Sequence, residues 1–263
     1  MWAMRPRRAP RLLVAAGLAA ALLAPAAPPA AAVPAARLAP ASPTVAAAPG
    51  EFRMDLLEPD DFVTQYTDVT CVGASVQTML NIIRDGADTS RATQRLAQRT
   101  AQQRSNPVYV RRSGGGASAM GWAYALGRLG GGAYRVRTFP SRTAALLAVA
   151  TAIRTTGRPA GLLVWAGAHA WVVSGFRASA DPAARSRFRL AGFVVSDPWW
   201  PRPTGSRGRT LPPGTELTRK ELARHFVLFQ RGPRRTGSIL NGSFVVVLPV
   251  EPAPVAVTAA RSH

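Results

Sequence analysis

A chain of 263 residues with 47% hydrophobic residues is long enough to bury a substantial core, and its single cysteine, Cys71, excludes an internal disulfide. The formal charge of +20 attracts polyanions in general, but the basic residues are scattered arginines with Lys220 the only lysine and no long run. That dispersion sets aside a nucleic-acid partner and leaves an acidic cell-surface polymer as the polyanion to consider.

The N-terminus carries Arg5, Arg7, Arg8 and Arg11, then an apolar run from Leu12 to Leu23, then small residues ending at Ala32. This order reads as a secretory signal over residues 1–32. The apolar run falls short of the roughly 20 residues that span a bilayer, so no stable membrane insertion is expected after cleavage. Without the four signal arginines the chain holds 29 basic and 13 acidic residues, a charge of +16. Residues 33–50 are Ala/Pro-rich and read as a disordered spacer, 51–250 as one folded domain, and 251–263 as a disordered tail. The expected location is secreted or cell-envelope.

Within the domain, Val76, Met79, Leu80 and Ile83 recur at helical spacing, predicting an amphipathic helix that opens at Cys71 and stops before Gly86. A more polar helix is predicted over 91–103. A third covers 118–129, with Met120, Tyr124 and Leu126 inward, and a fourth 142–154. Strand-like runs follow at 161–165, 168–176 and 188–196. Thr218 and Glu221 form a capping-box signal for a short helix ending near Phe229. Asn241-Gly242 signals a tight hairpin between strands at 238–240 and 243–248. Helices first and strands second imply an α+β fold.

In an exported chain a lone thiol is inert core, half of an intermolecular bridge, or a nucleophile. The helix beginning at Cys71 favours the last, because unpaired amides and the positive end of the helix dipole favour ionised sulfur. A nearby imidazole would complete such a nucleophile. Three histidines exist. His263 is terminal and His225 sits in the short helix beside Phe226. His169 begins a strand after Gly167-Ala168, where small neighbours leave room at a cleft edge, though a histidine in an apolar strand also reads as core. Asp197 ends the next strand and can orient His169, or simply form the turn before Pro198. Gln65, six residues before Cys71, can donate an amide hydrogen to an oxyanion together with the Cys71 N–H. Trp165, Trp171, Trp199 and Trp200 read as packing or as walls of a groove. No residue spacing suggests a metal site, and no cofactor is expected.

These residues lie in Gln65-Tyr66-x-x-x-x-Cys71-x-x-Ala74-Ser75, in the SGGGASAMGWAYALGRLGGGAYRV segment, in Gly167-x-His169-x-Trp171-Val172-Val173-x-Gly175, and in Val195-x-Asp197-Pro198. The set resembles the papain-like cysteine peptidases, in particular the bacteriocin-processing (double-glycine) peptidase-like group. It spans about Gln65 to Trp200. The resemblance implies a papain-like fold, with a helical lobe carrying the cysteine packed on an antiparallel sheet carrying histidine and aspartate. It also implies Cys71 as nucleophile, His169 as base, Asp197 as orienting residue and Gln65 as oxyanion donor. Thr70-Cys71-Val72 stands where the group often has Asp-Cys-Gly, and Ala170 separates His169 from Trp171. Members of the group are commonly fused to membrane transporters, and no such domain is read here, so bacteriocin leaders are not implied as substrates.

The resulting expectation is a secreted cysteine-type peptidase hydrolysing peptide or isopeptide bonds of a peptide or protein substrate. Two other readings are a catalytically silent papain-like module that binds an acidic cell-envelope partner, and a transglutaminase-like thiol acyltransferase, which would share the same thioester.

Overall fold

The computed structural model describes residues 51–84, 86–203, 210–231 and 239–250. The segments expected to be an export signal, a spacer and a tail, together with His263 and Ser238, lie outside these described residues.

Seven strands form one antiparallel sheet in the order β2-β7-β3-β4-β5-β6: β2 (Tyr134–Phe139), β7 (Phe244–Pro249), β3 (Ala160–Val164), β4 (His169–Ala178), β5 (Leu190–Ser196) and β6 (Thr215–Thr218). The remaining strand, β1 (Phe52–Asp55), pairs with the far half of β4, on the edge whose near half is taken by β3. The mixture of helices with this sheet is an α+β fold.

Alternating side chains of the central strands feed two separate cores. Leu162, Val164, Trp171, Val173, Val246 and Leu248 pack with α5 (Arg142–Thr156) and with Leu222 and Phe226 at α6 (Arg219–His225). Leu163, Ala170, Val172, Val245 and Val247 pack with α1 (Cys71–Arg84), α2 (Arg91–Gln103) and α4 (Ala119–Arg128). Both faces of the central strands are therefore covered, which explains why β3, β5 and β7 are nearly all apolar rather than alternating with polar residues.

Helix α1 departs from the amphipathic expectation. All of Val72 to Asn81 is buried, because the helix lies between α2, α4 and β4. Close approach to α2 depends on Gly73, where a Cβ would stand 2.9 Å from the Gln94 carbonyl oxygen. The predicted span of α2 agrees with the structure, but its polar appearance conceals a buried stripe of Gln94, Ala97, Gln98 and Ala101. In α4 the inward set is Ala119, Trp122, Ala125 and Leu126. Met120 is exposed and Tyr124 only half-buried, so the expected helical phase was off for both. Gly121 permits the close passage of α4 against α2, since a Cβ there would collide with the Ala101 carbonyl.

The capping box is present at α6, with Thr218 and Glu221 bonded reciprocally. The strand expected at 238–240 is not formed, since residues 239–242 make turns. Asn241 instead grips the backbone of Arg231 from both sides, at 2.8 and 3.2 Å, so residues 229–231 pair beside this turn. Four of these strands and helices had no sequence expectation: β1, β2, β6 and the short helix α3 (Pro107–Arg112).

Candidate active site

Antiparallel pairing brings the start of β4 beside the end of β5, with Val172 opposite Ser196. His169, the first residue of β4, and Asp197, just after β5, consequently meet at one end of the sheet. The imidazole Nε2–H donates to Asp197 Oδ1 at 2.7 Å. Both side chains are buried, His169 4% exposed and Asp197 0%. The ring is thus far more enclosed than the cleft-edge expectation.

The Cys71 thiol lies near enough to the imidazole to help raise its pKa, and the bond from Nε2 to Asp197 leaves Nδ1 as the nitrogen available to it. Cys71 is partly exposed and opens α1. Of the first amides of that helix, Gly73 N–H is taken by Gln98 Oε1 and Ala74 N–H by the Thr70 carbonyl. Those of Cys71 and Val72 have no partner among the described residues, so they remain free to receive an anion.

Burial is the largest influence on His169 and opposes its charge. Hydrogen bonds to Asp197 and Cys71 and their negative charges outweigh it, and the imidazole is pushed up to about 9.

Aromatic rings fix the imidazole on two sides. Trp165 stacks on it at 4.8 Å and Trp199 meets it edge-on at 6.2 Å. Trp165 owes its position to the β3–β4 turn, where Trp165, Ala166 and Gly167 have φ of 52°, 56° and 83° in succession. Side chains rarely adopt this left-handed backbone, and the surroundings must hold it in place. Phe229 lies against Gly167 so closely that any Cβ would collide with its ring, and Gln230 N–H donates to the Ala166 carbonyl. Trp165 Nε1–H in turn donates to His225 Nδ1 at 3.2 Å. Burial lowers the pKa of His225, which suits a neutral ring accepting that bond. His225 is therefore a half-buried support of Trp165. Trp171 is wholly buried beneath it.

Gln65 differs from the expected loop residue facing a cleft: it is fully buried. Its Nε2 donates one hydrogen to the Thr67 carbonyl at 2.7 Å and retains a second. Its backbone N–H donates to the Pro198 carbonyl at 2.8 Å, and Thr64 Oγ1 to that of Trp200. The Gln65 segment is thereby zipped to the turn after Asp197, where Asp197 Oδ1 also accepts from Trp199 N–H at 2.9 Å.

The supporting residues that sequence reasoning missed are the glutamines of α2. Gln94 accepts from Tyr66 N–H and donates to the Thr64 carbonyl, while Gln98 joins Gly73 N–H to the Gly115 carbonyl. Gln102 donates to the same carbonyl. Their spacing of four along one helix face, interleaved with Ala97 and Ala101, was the available signal. Among the described residues no cluster of three His, Cys, Asp or Glu could hold a metal ion, and no helix is long and apolar enough to cross a membrane.

No family model matches the chain, and no curated protein matches it.

Proposed function

We propose that this protein is a secreted thiol hydrolase acting on peptide or isopeptide bonds, similar in mechanism to papain-like cysteine peptidases. The observation that carries this reading is the buried His169, bonded to Asp197 at 2.7 Å and neighbouring the one thiol of the chain. Cys71 Sγ attacks the substrate carbonyl carbon, forming a tetrahedral oxyanion. The Cys71 N–H and the remaining Gln65 amide hydrogen are the donors proposed for that oxygen. As the C–N bond breaks, His169 gives its proton to the leaving amine and a thioester to Cys71 remains. Water then attacks the thioester, giving its proton to His169, and the acid product leaves as the thiol pair is restored. Asp197 holds the ring in the required tautomer throughout. Export is part of this proposal and rests on the sequence of residues 1–32.

The reading is tested by incubating the protein and its Cys71→Ala variant with a broad peptide library and identifying new termini. Cleavages present with the wild type and absent with Cys71→Ala are the expected result. Absence of turnover, with salt-sensitive binding of acidic polymers indifferent to Cys71, favours the binding-module reading instead.

A further inference from the structure

Immediately before the nucleophile, the loop from Tyr66 to Thr70, the outer face of α2 and the Gly114-Gly115 turn enclose a depression of about 280 Å³. This volume suits one side chain of a bound peptide. Its floor is polar but already engaged: the Gln98 and Gln102 amides both donate to the Gly115 carbonyl. The charged groups on its lining are Arg95 and Arg99, one helical turn apart on α2 and both exposed. Neither makes an ion pair with a carboxylate among the described residues. Arg95 is poised over the Tyr66 ring at 5.7 Å, which restricts where its guanidinium can go. The nearest acid on this loop, Asp68, does not line the depression and faces Arg202 at 3.6 Å. Two cations without counterions beside an empty, side-chain-sized hollow form an electrostatic seat for a negative group.

We infer that this depression is a substrate subsite that takes an acidic side chain, so that the protein selects peptides carrying Glu or Asp at one position near the scissile bond. The inference rests on the peptidase reading for its place in catalysis, while the carboxylate seat itself does not. Arg95 and Arg99 lie at the solvent boundary, so their combined contribution is moderate, on the order of tenfold between Glu and its neutral isostere Gln. Screening by salt should shrink that ratio. Arg231, which does not line the depression, acts on Tyr109 as Cys71 does, and it supplies the competing location for a carboxylate.

The test uses matched peptides that differ only by Glu or Gln, scanned across the positions flanking a cleaved bond. At one position kcat/KM should favour Glu about tenfold, and in the Arg95→Gln/Arg99→Gln double variant the ratio should collapse toward one. Equal rates for Glu and Gln at every position overturn the inference and leave the peptidase reading intact. So does a preference that survives the double variant and disappears in Arg231→Gln, because the seat is then at Arg231. If no peptide is turned over at all, the peptidase reading fails. The same peptide pairs bound to the Cys71→Ala protein then decide: Glu-selective binding lost in the double variant supports the seat, and equal binding of both peptides overturns it.

Discussion

The imidazole of His169 is pulled in opposite directions, toward neutrality by burial and toward charge by Asp197 and Cys71, and the second pull wins. A general acid must be protonated to release the leaving amine, so activity should fall along an alkaline limb near pH 9 in the kcat/KM profile. Asp197 can be assigned through that limb. Asp197→Ala removes a carboxylate that favours the imidazolium, so the limb should move to lower pH while kcat drops by about 10²–10⁴. Reduced activity with an unmoved limb would give Asp197 a merely structural part. Gln65 calls for a different expectation. Because it is buried and bonded to Thr67, Gln65→Ala should lower kcat by about 10²–10³ and also destabilise the fold by about 1–3 kcal/mol. Thermal denaturation measured beside kinetics separates the two losses.

At the scale of elements, the buried glutamines of α2 brace the thiol helix and the Gln65 segment. Gln98 joins the first turn of α1 to the glycine turn, so Gln98→Ala leaves a buried amide and a carbonyl with fewer partners, at a cost of about 1–3 kcal/mol. The α1 N-terminus should also loosen, visible as faster hydrogen exchange at Gly73. Unchanged stability and exchange would show that these bonds contribute nothing. A second element under constraint is the β3–β4 turn. Gly167→Ala puts a methyl against the Phe229 ring at a positive φ and should displace Trp165 from His169, lowering activity more than tenfold. The thiol helix and the strand pair carrying His169 and Asp197 were legible in the sequence, because helical spacing after Cys71 and two apolar runs of strand length mark them directly. The α2 stripe was not, since glutamines at every fourth position look like a solvent face until a backbone needing donors and acceptors packs on them. Met120 and Tyr124 misled because Trp122 and Leu126 supply the large apolar contacts of α4, while Gly121 lets the helix approach α2. The turn at Asn241-Gly242 was legible from its residues, but the strand expected before it does not form over 239–240, where Asn241 binds the Arg231 backbone instead.

For the whole molecule, two cores on opposite faces of one sheet leave the paired ends of β4 and β5 as the place where helix α1 can meet them. Folding is coupled to the same titration that governs the site. The His169 pKa is about 9 in the folded state against an ordinary 6.5, so the folded protein holds the extra proton between these values. Its contribution to stability is complete below pH 6.5 and is lost as pH rises through about 9, and His169→Ala should abolish that part of the pH dependence. The pairing of thiol and imidazole underlies the catalytic proposal, the pH limb and this linkage alike. It is tested most directly by the rate at which Cys71 is alkylated at pH 6, in the wild type and in His169→Ala. A sulfur paired with an imidazolium should react well above a model thiol, which is almost wholly protonated there, and His169→Ala should slow the reaction at least tenfold, by an order-of-magnitude estimate. Equal and slow labelling of both proteins would contradict the pairing and return Cys71 to the status of a core residue.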